Sequence, residues 1–470
     1  MLYYLSEWLN QHYDLPGFGV FRYFSFRAIL SIVFSLIISL LIGKKIIQIL
    51  RSKLAGEVIR KEGPESHQAK AGTPTMGGII IISAVVIPTL LWADIKNGYV
   101  WLLLISTLWM GIIGFVDDYI KVFKRDKRGL KGRFKVIGQI GLGLIVGLTM
   151  LNHPDFMGSR SHISQLGIVS TNELLSIHGF LPNDQLVQVN GKAFQYPDTG
   201  EPYENISSYL VKREGKAEPV FLPIEESARK QVGKELFGPR EKSFIYTTDF
   251  PFFKKYVFDY SRFLYLDRFI NSEMLGRIVY LLVVILIITS VSNAVNITDG
   301  IDGLAAGTSA IVAAGLGIFA YISGNSIFAN YLNITYIPLS AEITVYASAL
   351  VGGCLGFLWY NSFKAEVFMG DTGSLALGSA IGVIALMVKK ELLLPIFCGI
   401  FFAEALSVIL QVSYFKYTKK KYGEGKRIFK MSPLHHHYEL KGLHEAKIVI
   451  RFFIVQIILV LLAFATLKLR

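Results

Sequence analysis

The sequence predicts an all-α polytopic membrane protein of about ten transmembrane helices, with a mainly β extracytoplasmic insertion. Of the 470 residues, 52% are hydrophobic and 18% are charged, whereas an ordinary soluble domain has about 25% charged residues. The mean hydropathy is +0.46. Apolar residues concentrate in runs of roughly 16 to 25, the length that crosses a bilayer core of about 30 Å as a helix. These features disfavour a soluble enzyme, a disordered chain and a transmembrane β-barrel.

Ten apolar runs predict the membrane crossings. They cover 28–43, 77–93, 100–116, 136–151, 275–292, 304–323, 343–360, 374–388, 392–413 and 448–467. The aromatic-rich residues 1–22 include Glu7 and Asp14, which is typical of an interfacial segment rather than a signal peptide. The long polar segment 153–271 divides the chain. We therefore expect transmembrane helices 1–4 in residues 1–152, an extracytoplasmic insertion in 153–271, and helices 5–10 in 272–470.

Basic residues indicate the orientation of the helices. The formal net charge is +13, and Lys and Arg concentrate in the loops 44–70, 121–135 and 416–447. The positive-inside rule places these loops in the cytoplasm and both termini outside. Basic excess of this kind suits cytoplasmic loops and anionic lipid headgroups rather than nucleic acid. Cys354 and Cys398 both lie in apolar runs and predict neither a disulfide framework nor a metal site.

An acidic pair, Asp117 and Asp118, ends the third predicted helix. Lys121 shares a helix face with Asp117 at i, i+4, whereas Asp118 points about 100° away. One carboxylate can therefore bind a metal while the other accepts a proton or orients a phosphate. The alternative is a solvated helix end with one ion pair.

A polar connection joins the fifth and sixth predicted helices. It places Asn293, Asn296, Asp299 and Asp302 three residues apart with almost no Lys or Arg beside them. Unpaired carboxylates and amides next to a membrane favour a metal, a sugar or a nucleobase as ligand. The alternative is a polar turn with helix caps.

The segment 361–374 leads into the eighth predicted helix. Asp371 stands at the helix N-terminus, where free backbone amides favour an anion. Gly370 and Gly373 allow close backbone approach, Asn361 opens the segment, and Phe368 can stack on a base. The alternative is ordinary N-capping by Asp371.

Three consecutive histidines, His435, His436 and His437, lie in the last basic loop. Imidazoles bind metals or, when protonated, phosphates. The alternative is a solvated loop.

The topology brings these four clusters to one cytoplasmic face. Mg²⁺ is usually held by one or two carboxylates together with substrate phosphates, and phosphoryl transfer needs such a metal with cationic clamps. The sequence has neither a GxSxG elbow nor a Walker A motif. The residues thus predict a Mg²⁺-dependent enzyme that acts on a phosphorylated soluble substrate and a membrane lipid.

Five motifs resemble the phospho-N-acetylmuramoyl-pentapeptide-transferase family, a branch of the polyprenyl-phosphate N-acetylhexosamine-1-phosphate transferases. They are AKAGTPTMGG (69–78), DDYIK (117–121), NAVNITDGIDGLA (293–305), NSFKAEVFMGDTGSLALG (361–378) and PLHHHYE (433–439). The resemblance implies transfer of phospho-MurNAc-pentapeptide from UDP-MurNAc-pentapeptide to undecaprenyl phosphate. Lipid I and UMP form, with Mg²⁺, in the bacterial inner membrane. It also implies a homodimer and an active site on the cytoplasmic side.

The resemblance assigns roles to matching residues. Asp371 is the expected Mg²⁺ ligand, with Asp117 as a second. Asp117 and Asp118 divide lipid-phosphate activation and metal or phosphate orientation between them, in an order left open. The expected catalytic set is completed by His435, His436 and His437, near the diphosphate and sugar. The expected substrate-binding residues are Lys70, Thr75, Lys121, Arg133, Asn293, Asn296, Asp299, Asp302, Asn361 and Phe368. The family often has Lys where Arg133 falls, which leaves that alignment less secure.

The insertion departs from most of the family, whose members mostly have a much shorter segment there. Residues 178–194 resemble the turn–strand–turn signature of PDZ-like domains, and Ser208–Arg213 and Pro219–Pro223 are expected to form further strands. A PDZ-like sheet binds an extended peptide at its edge, which would give the insertion an extracytoplasmic peptide or protein partner. The alternative is an insert with a purely shape-related role.

Three other functions stay open at this stage. The same chemistry with another donor, such as UDP-GlcNAc, differs only in the sugar. A transporter or lipid flippase predicts carboxylates near the bilayer midplane, whereas these lie at helix ends. A peptide-binding scaffold would leave the cytoplasmic clusters without a purpose.

Overall fold

The computed structural model describes most of the helical part and several pieces of the insertion. The described residues are 1–13, 17–53, 72–124, 126, 128–156, 175, 177–181, 184–193, 207–213, 218–229, 232, 246–249, 257–261, 272–332, 334–337 and 339–468.

Helices dominate the described residues. They are α1 Leu2–Tyr13, α2 Phe24–Lys53, α3 Gly78–Trp92, α4 Gly98–Val122, α5 Gly132–Asn152, α6 Ser272–Thr298, α7 Leu304–Ser323, α8 Ser326–Tyr331, α9 Ala341–Asn361, α10 Gly370–Met387, α11 Leu394–Phe397, α12 Gly399–Tyr422, α13 Leu434–Glu439 and α14 Glu445–Lys468. Nine of these described helices are long and apolar enough to cross a membrane. The all-α polytopic prediction is confirmed, and each predicted apolar run falls on a helical segment.

Two predicted crossings differ from a simple spanning helix. The second, α3, has only 15 residues, or about 22 Å of helix, and an irregular segment precedes it. The ninth is interrupted between α11 and α12. Gln456 of α14 is fully buried at this break. Its Nε2 donates to the carbonyl of Phe397 at 2.6 Å, and its Oε1 accepts from the Ile400 amide at 3.4 Å. A side chain from a neighbouring helix thus satisfies backbone groups that hydrocarbon cannot.

The α10 helix runs through the centre of the bundle. Every residue from Asp371 to Met387 is buried, between helices that include α3, α4 and α6. Glycines allow this packing, because a Cβ on Gly378 would lie 2.5 Å from the Ser292 backbone of α6. The hydrophobic sequence of α10 therefore has no amphipathic stripe, as expected for a helix that is covered on all sides.

Strands occur only between α5 and α6 among the described residues. They are β1 Gln185–Val189, β2 Lys192–Ala193, β3 Ser208–Lys212, β4 Val220–Pro223, β5 Thr247–Asp249 and β6 Val257–Asp259. The first four form an antiparallel sheet in the order β2-β1-β3-β4, and β5 pairs with β6. A turn at Asn190 and Gly191, both with positive φ, joins β1 to β2, as two-residue hairpins require. The two further strands that the sequence predicts are confirmed, whereas the PDZ-like resemblance stays a prediction.

The two parts of the insertion pack differently. The four-stranded sheet has its own hydrophobic cluster, which includes Phe180, Leu186, Tyr209 and Val211. The β5–β6 hairpin instead contributes to the core of the helix bundle, because its flanking Tyr246 and Tyr260 are buried there with Tyr280 of α6. The hairpin is thus built into the helical part, although it lies within the predicted insertion.

Buried charges attach the hairpin just beyond the C-terminus of α10. Lys390 pairs with Asp249 of β5, and Lys389 Nζ donates to the Thr247 carbonyl at 3.1 Å. The Tyr260 hydroxyl donates to Glu391 at 3.1 Å. Burial lowers the pKa of Lys389 to about 7 and raises the pKa of Glu391 to about 7. We refer to Asp249, Lys389, Lys390 and Glu391 as the hairpin cluster.

Candidate active site

Glycines bring the loop before α3 against the loop before α10. The Gly77 and Gly78 amides donate to the Phe368 and Met369 carbonyls at 2.8 and 2.9 Å, and the Phe368 amide donates to Pro74 at 2.8 Å. A Cβ on Gly78 would lie 2.1 Å from the Gly373 amide nitrogen. The TPTMGG stretch therefore supports the N-terminus of α10 directly.

Asp118 of α4 caps the N-terminus of α10. Its Oδ1 accepts from the Asp371 amide at 3.1 Å, and its Oδ2 accepts from the Thr372 amide at 2.9 Å and the Thr372 hydroxyl at 2.6 Å. Gly370 has φ +72°, and a Cβ there would lie 2.5 Å from Asp118 Oδ2. A carboxylate from another helix thus satisfies the free amides, which leaves the Asp371 side chain available.

Three carboxylates meet at this point. Asp117, Asp118 and Asp371 each offer an oxygen within 4.8 Å of the other two, and no comparable group of acids, histidines or cysteines occurs elsewhere in the described residues. Lys121 Nζ lies 2.5 Å from Asp117 Oδ2 and 3.5 Å from Asp371 Oδ1. We refer to these three acids as the acidic cluster.

Lys135 is a second cation in this cluster, and sequence reasoning missed it. Its Nζ lies 2.9 Å from Asp117 Oδ1 and also pairs with Asp371. Arg133, the predicted cation, is exposed, with its guanidinium over the ring of Phe134. The sequence does contain a signal for Lys135. It lies one helical turn before Gln139, which is buried, so both residues are on the side of α5 that faces the bundle.

The donor set fits a hard divalent cation. Carboxylate oxygens are the ligands that Mg²⁺ prefers, and it usually takes one or two of them. Both oxygens of Asp118 accept hydrogen bonds in the cap of α10. Asp117 and Asp371 instead contact the ammonium groups of lysines, which lie where a metal ion could bind. Asp117 and Asp371 are therefore the two residues best placed to hold a metal ion.

Two polar side chains tie the α6–α7 turn to the loop before α10. Asn361 accepts from the Gly303 amide at 3.0 Å and donates to the Val367 carbonyl at 2.8 Å. Asp302 accepts from the Ala365 amide at 3.0 Å. Both predicted binding residues thus have a structural role in shaping the loop that carries Phe368.

The other residues of this predicted set lie around the same turn. Asn293 donates to Gln139 at 3.1 Å. Asn296, in the last turn of α6, and Asp299, in the α6–α7 turn, are both half-buried. Phe368 is also half-buried. The Thr75 hydroxyl lies next to Gly370, 2.9 Å from where a Cβ would be. Lys70 lies outside the described residues.

The three histidines begin the short helix α13 and have different surroundings. His435 is fully buried, and a Cβ on Gly300 would lie 2.3 Å from its Nε2. His436 Nδ1 contacts Glu439 at 2.7 Å. His437 Nδ1 accepts from the Lys430 amide at 3.1 Å; burial and the charges of Lys441 and Lys430 lower its pKa. His435 thus joins α13 to the α6–α7 turn.

The contacts form one continuous path through the four sequence clusters. His435 packs on the α6–α7 turn, that turn is hydrogen-bonded to the loop before α10, and this loop leads to Asp371 and the acidic cluster. The sequence prediction that the clusters lie on one face of the protein is therefore consistent with their contacts. The hairpin cluster lies at the other end of α10.

Comparisons with known proteins agree with this arrangement. Residues 252–389 match the family model described as glycosyl transferase family 4, and residues 70–82 match phospho-N-acetylmuramoyl-pentapeptide-transferase signature 1. Proteins named phospho-N-acetylmuramoyl-pentapeptide-transferase from Flavobacterium psychrophilum, Flavobacterium johnsoniae and Amoebophilus asiaticus are 49%, 48% and 46% identical to this chain. Each alignment covers 100% of both proteins, so the insertion is shared with these relatives. The chain belongs to the phospho-N-acetylmuramoyl-pentapeptide-transferase family.

Proposed function

We propose that this protein transfers phospho-MurNAc-pentapeptide from UDP-MurNAc-pentapeptide to undecaprenyl phosphate, forming lipid I and UMP in peptidoglycan biosynthesis. The observation that carries the proposal is the acidic cluster at the ends of two membrane-spanning helices. A lipid phosphate and a soluble nucleotide can meet at such a position. Full-length relatives named phospho-N-acetylmuramoyl-pentapeptide-transferase support it.

Asp117 and Asp371 would hold Mg²⁺. When bound, this ion would neutralise phosphate charge and polarise the phosphoryl oxygens. Asp118 holds the Asp371 backbone in place through the cap of α10. Lys121 and Lys135, which pair with the carboxylates here, would turn toward phosphate oxygens and stabilise the charge of the reacting groups.

The reaction replaces one phosphate–oxygen bond by another. An oxygen of undecaprenyl phosphate attacks the sugar-side phosphorus of the donor, and the bond to UMP breaks, with UMP taking the bonding electrons. A phosphate monoester has lost most of its second proton at pH 7, since that pKa is about 6. The attacking oxygen therefore needs positioning and charge neutralisation more than a strong base, so either Asp117 or Asp118 suffices to accept a residual proton.

The nucleotide donor would lie between the α6–α7 turn and α13. Phe368, Asn296, Asp299 and Lys70 are proposed to bind the nucleoside, with Thr75 and Asn293 nearby. Asn361, His435, His436 and His437 are proposed to surround the diphosphate and sugar, and Asp302 to shape the turn. Arg133 is proposed only as an outer cation, since it is exposed.

The cellular setting follows from charge and resemblance. The basic loops next to the acidic cluster favour a cytoplasmic active site in the bacterial inner membrane, with the insertion outside. The family resemblance also favours a homodimer, and the four-stranded sheet favours an extended peptide as a partner of the insertion.

A UMP-release assay tests the proposed function. Purified protein in detergent receives UDP-MurNAc-pentapeptide and undecaprenyl phosphate, with and without Mg²⁺, and with EDTA as a control. We expect release that requires both the lipid and the metal. UMP release with UDP-GlcNAc instead would support the same transfer reaction with that sugar. If neither donor gives UMP release, the protein is not such a transferase.

A further inference from the structure

Glu404 is a buried acid in the apolar run Phe401–Ile409 of α12, and none of the predicted clusters includes it. Its side chain is fully buried. An acidic group within a membrane-spanning helix is costly and is a functional candidate. Neither Lys nor Arg pairs with Glu404 in the described residues; its ion pair there is with His435.

The Glu404 carboxylate holds His435 at two points. Glu404 Oε1 accepts from the His435 backbone amide at 3.2 Å. Glu404 Oε2 lies 3.2 Å from His435 Nδ1, and both side chains are fully buried. The contact of Oε2 with Nδ1 is an ion pair without hydrogen-bond geometry. The carboxylate therefore holds the backbone of His435 directly and places its charge beside the imidazole ring.

The other ring nitrogen points to the α6–α7 turn. His435 Nε2 faces Gly300, where a Cβ would lie 2.3 Å away, and it has no hydrogen-bond partner among the described residues. Gly300 follows Asp299 in this turn. A side chain at position 300 would displace the ring, so the ring position and the glycine depend on each other.

We propose that Glu404 is a positioning residue for the transfer reaction, which holds His435 in place against the α6–α7 turn. The assignment rests on the proposed function. The carboxylate accepts from the His435 backbone amide and lies beside its ring, so it acts on His435 rather than on the substrate.

The test is a double-mutant cycle with Glu404→Gln and His435→Asn in the UMP-release assay. Gln retains the volume of Glu and the acceptor for the His435 amide, but it removes the charge. We expect Glu404→Gln to lower kcat/KM for UDP-MurNAc-pentapeptide by about 10- to 100-fold, as loss of outer-shell partners commonly does. The KM for undecaprenyl phosphate should not change.

The double variant distinguishes positioning from a separate role. If Glu404 acts through His435, adding Glu404→Gln to His435→Asn should produce less than a twofold further loss, because residues that act as one unit are not additive. Ser407→Ala is the matched control, since this buried hydroxyl on the same helix donates only to the Glu404 carbonyl and should leave kcat/KM unchanged. Thermal unfolding in detergent checks that all variants are folded.

Two results from folded variants would overturn the assignment. A Glu404→Gln variant with wild-type kcat/KM would do so, and so would losses that multiply in the double variant. If Glu404→Gln does not fold, the same cycle with Glu404→Asp replaces it and is judged in the same way. In each case, UMP release by the wild-type protein would leave the proposed function intact. If the wild-type protein releases no UMP, both the proposed function and the role of Glu404 are overturned.

Discussion

The two ends of α10 carry two groups of charged side chains with opposite properties. The acidic cluster at the N-terminus has three carboxylates, which two lysines contact, and the group is partly open: the side chains of Lys121, Lys135 and Asp371 are 35%, 19% and 13% exposed. In the hairpin cluster at the C-terminus, two acids balance two lysines, and the side chains of Lys390 and Asp249 are 0% and 3% exposed.

The difference separates a site from a structural attachment. An excess of negative charge with access to solvent can exchange its lysines for a metal ion and phosphates. A neutral, closed set of pairs has no such capacity, and its role is to hold the hairpin against the bundle. Mutations at the first end should therefore change activity with little effect on stability, and mutations at the second end should do the reverse.

The largest expected effect is at Asp371. Asp371→Asn removes a metal ligand and should lower kcat for UMP release on the order of 10⁴-fold, or about 5.5 kcal/mol in transition-state stabilisation. The melting temperature in detergent should stay close to that of the wild type. Asp126→Asn, in the nearby exposed loop, is the control and should keep full activity. A largely active Asp371→Asn enzyme at ordinary Mg²⁺ would contradict the metal-ligand role.

The next largest effect should appear in stability. Asp249→Asn leaves Lys390 buried opposite a neutral side chain, and breaking a buried pair on one side costs about 3–5 kcal/mol. Thermal unfolding in detergent should show a clear drop in melting temperature. Combining Asp249→Asn with Lys390→Met should recover much of it, because no buried charge then lacks its partner. If the single and the double variant unfold at the same temperature, the Asp249–Lys390 ion pair is not what stabilises the attachment of the hairpin.

A smaller effect compares two cations of α5. Lys135→Met should lower kcat/KM about 100-fold, since Lys135 contacts both Asp117 and Asp371 and under the proposed function its charge would face the transferred phosphate. Arg133→Met should change kcat/KM less than threefold, because its guanidinium is exposed. The two variants are matched in charge and position, so equal losses would argue that Arg133 also reaches the substrate.

The smallest effect should follow from removing the four-stranded sheet. Replacing residues 160–240 by a Gly/Ser linker of about 20 residues, with an r.m.s. span of about 25 Å, removes a unit that has its own hydrophobic cluster. UMP release should stay within about threefold of the wild type. A deletion extended through residue 261 is the contrast. It removes the hairpin and leaves the buried Lys390 without Asp249, so we expect it to abolish folding.

Much of the candidate site could be predicted from residue type and topology. Charged residues beside apolar runs are conspicuous, which is why Asp117, Asp118 and Asp371 were found without a structure. The sequence analysis does not single out Lys135 or Glu404, and the reason differs between the two residues. Lys135 was one of several lysines in a basic loop, and only the rotation of α5 selects it. Glu404 was a single acid in a helix, and its partner lies 31 positions later in sequence.

The sequence by itself determined the placement of the apolar helices, the acidic pair and the strands β1, β3 and β4 of the insertion. These depend on local chemistry: the free energy of placing each side chain in lipid or water, and the turn residues between strands. Tertiary structure decided how those residues are used. Only packing shows that Asp118 caps a distant helix, that Glu404 holds His435, and that the β5–β6 hairpin belongs with the bundle, because each depends on partners that are close in space and far apart in the chain.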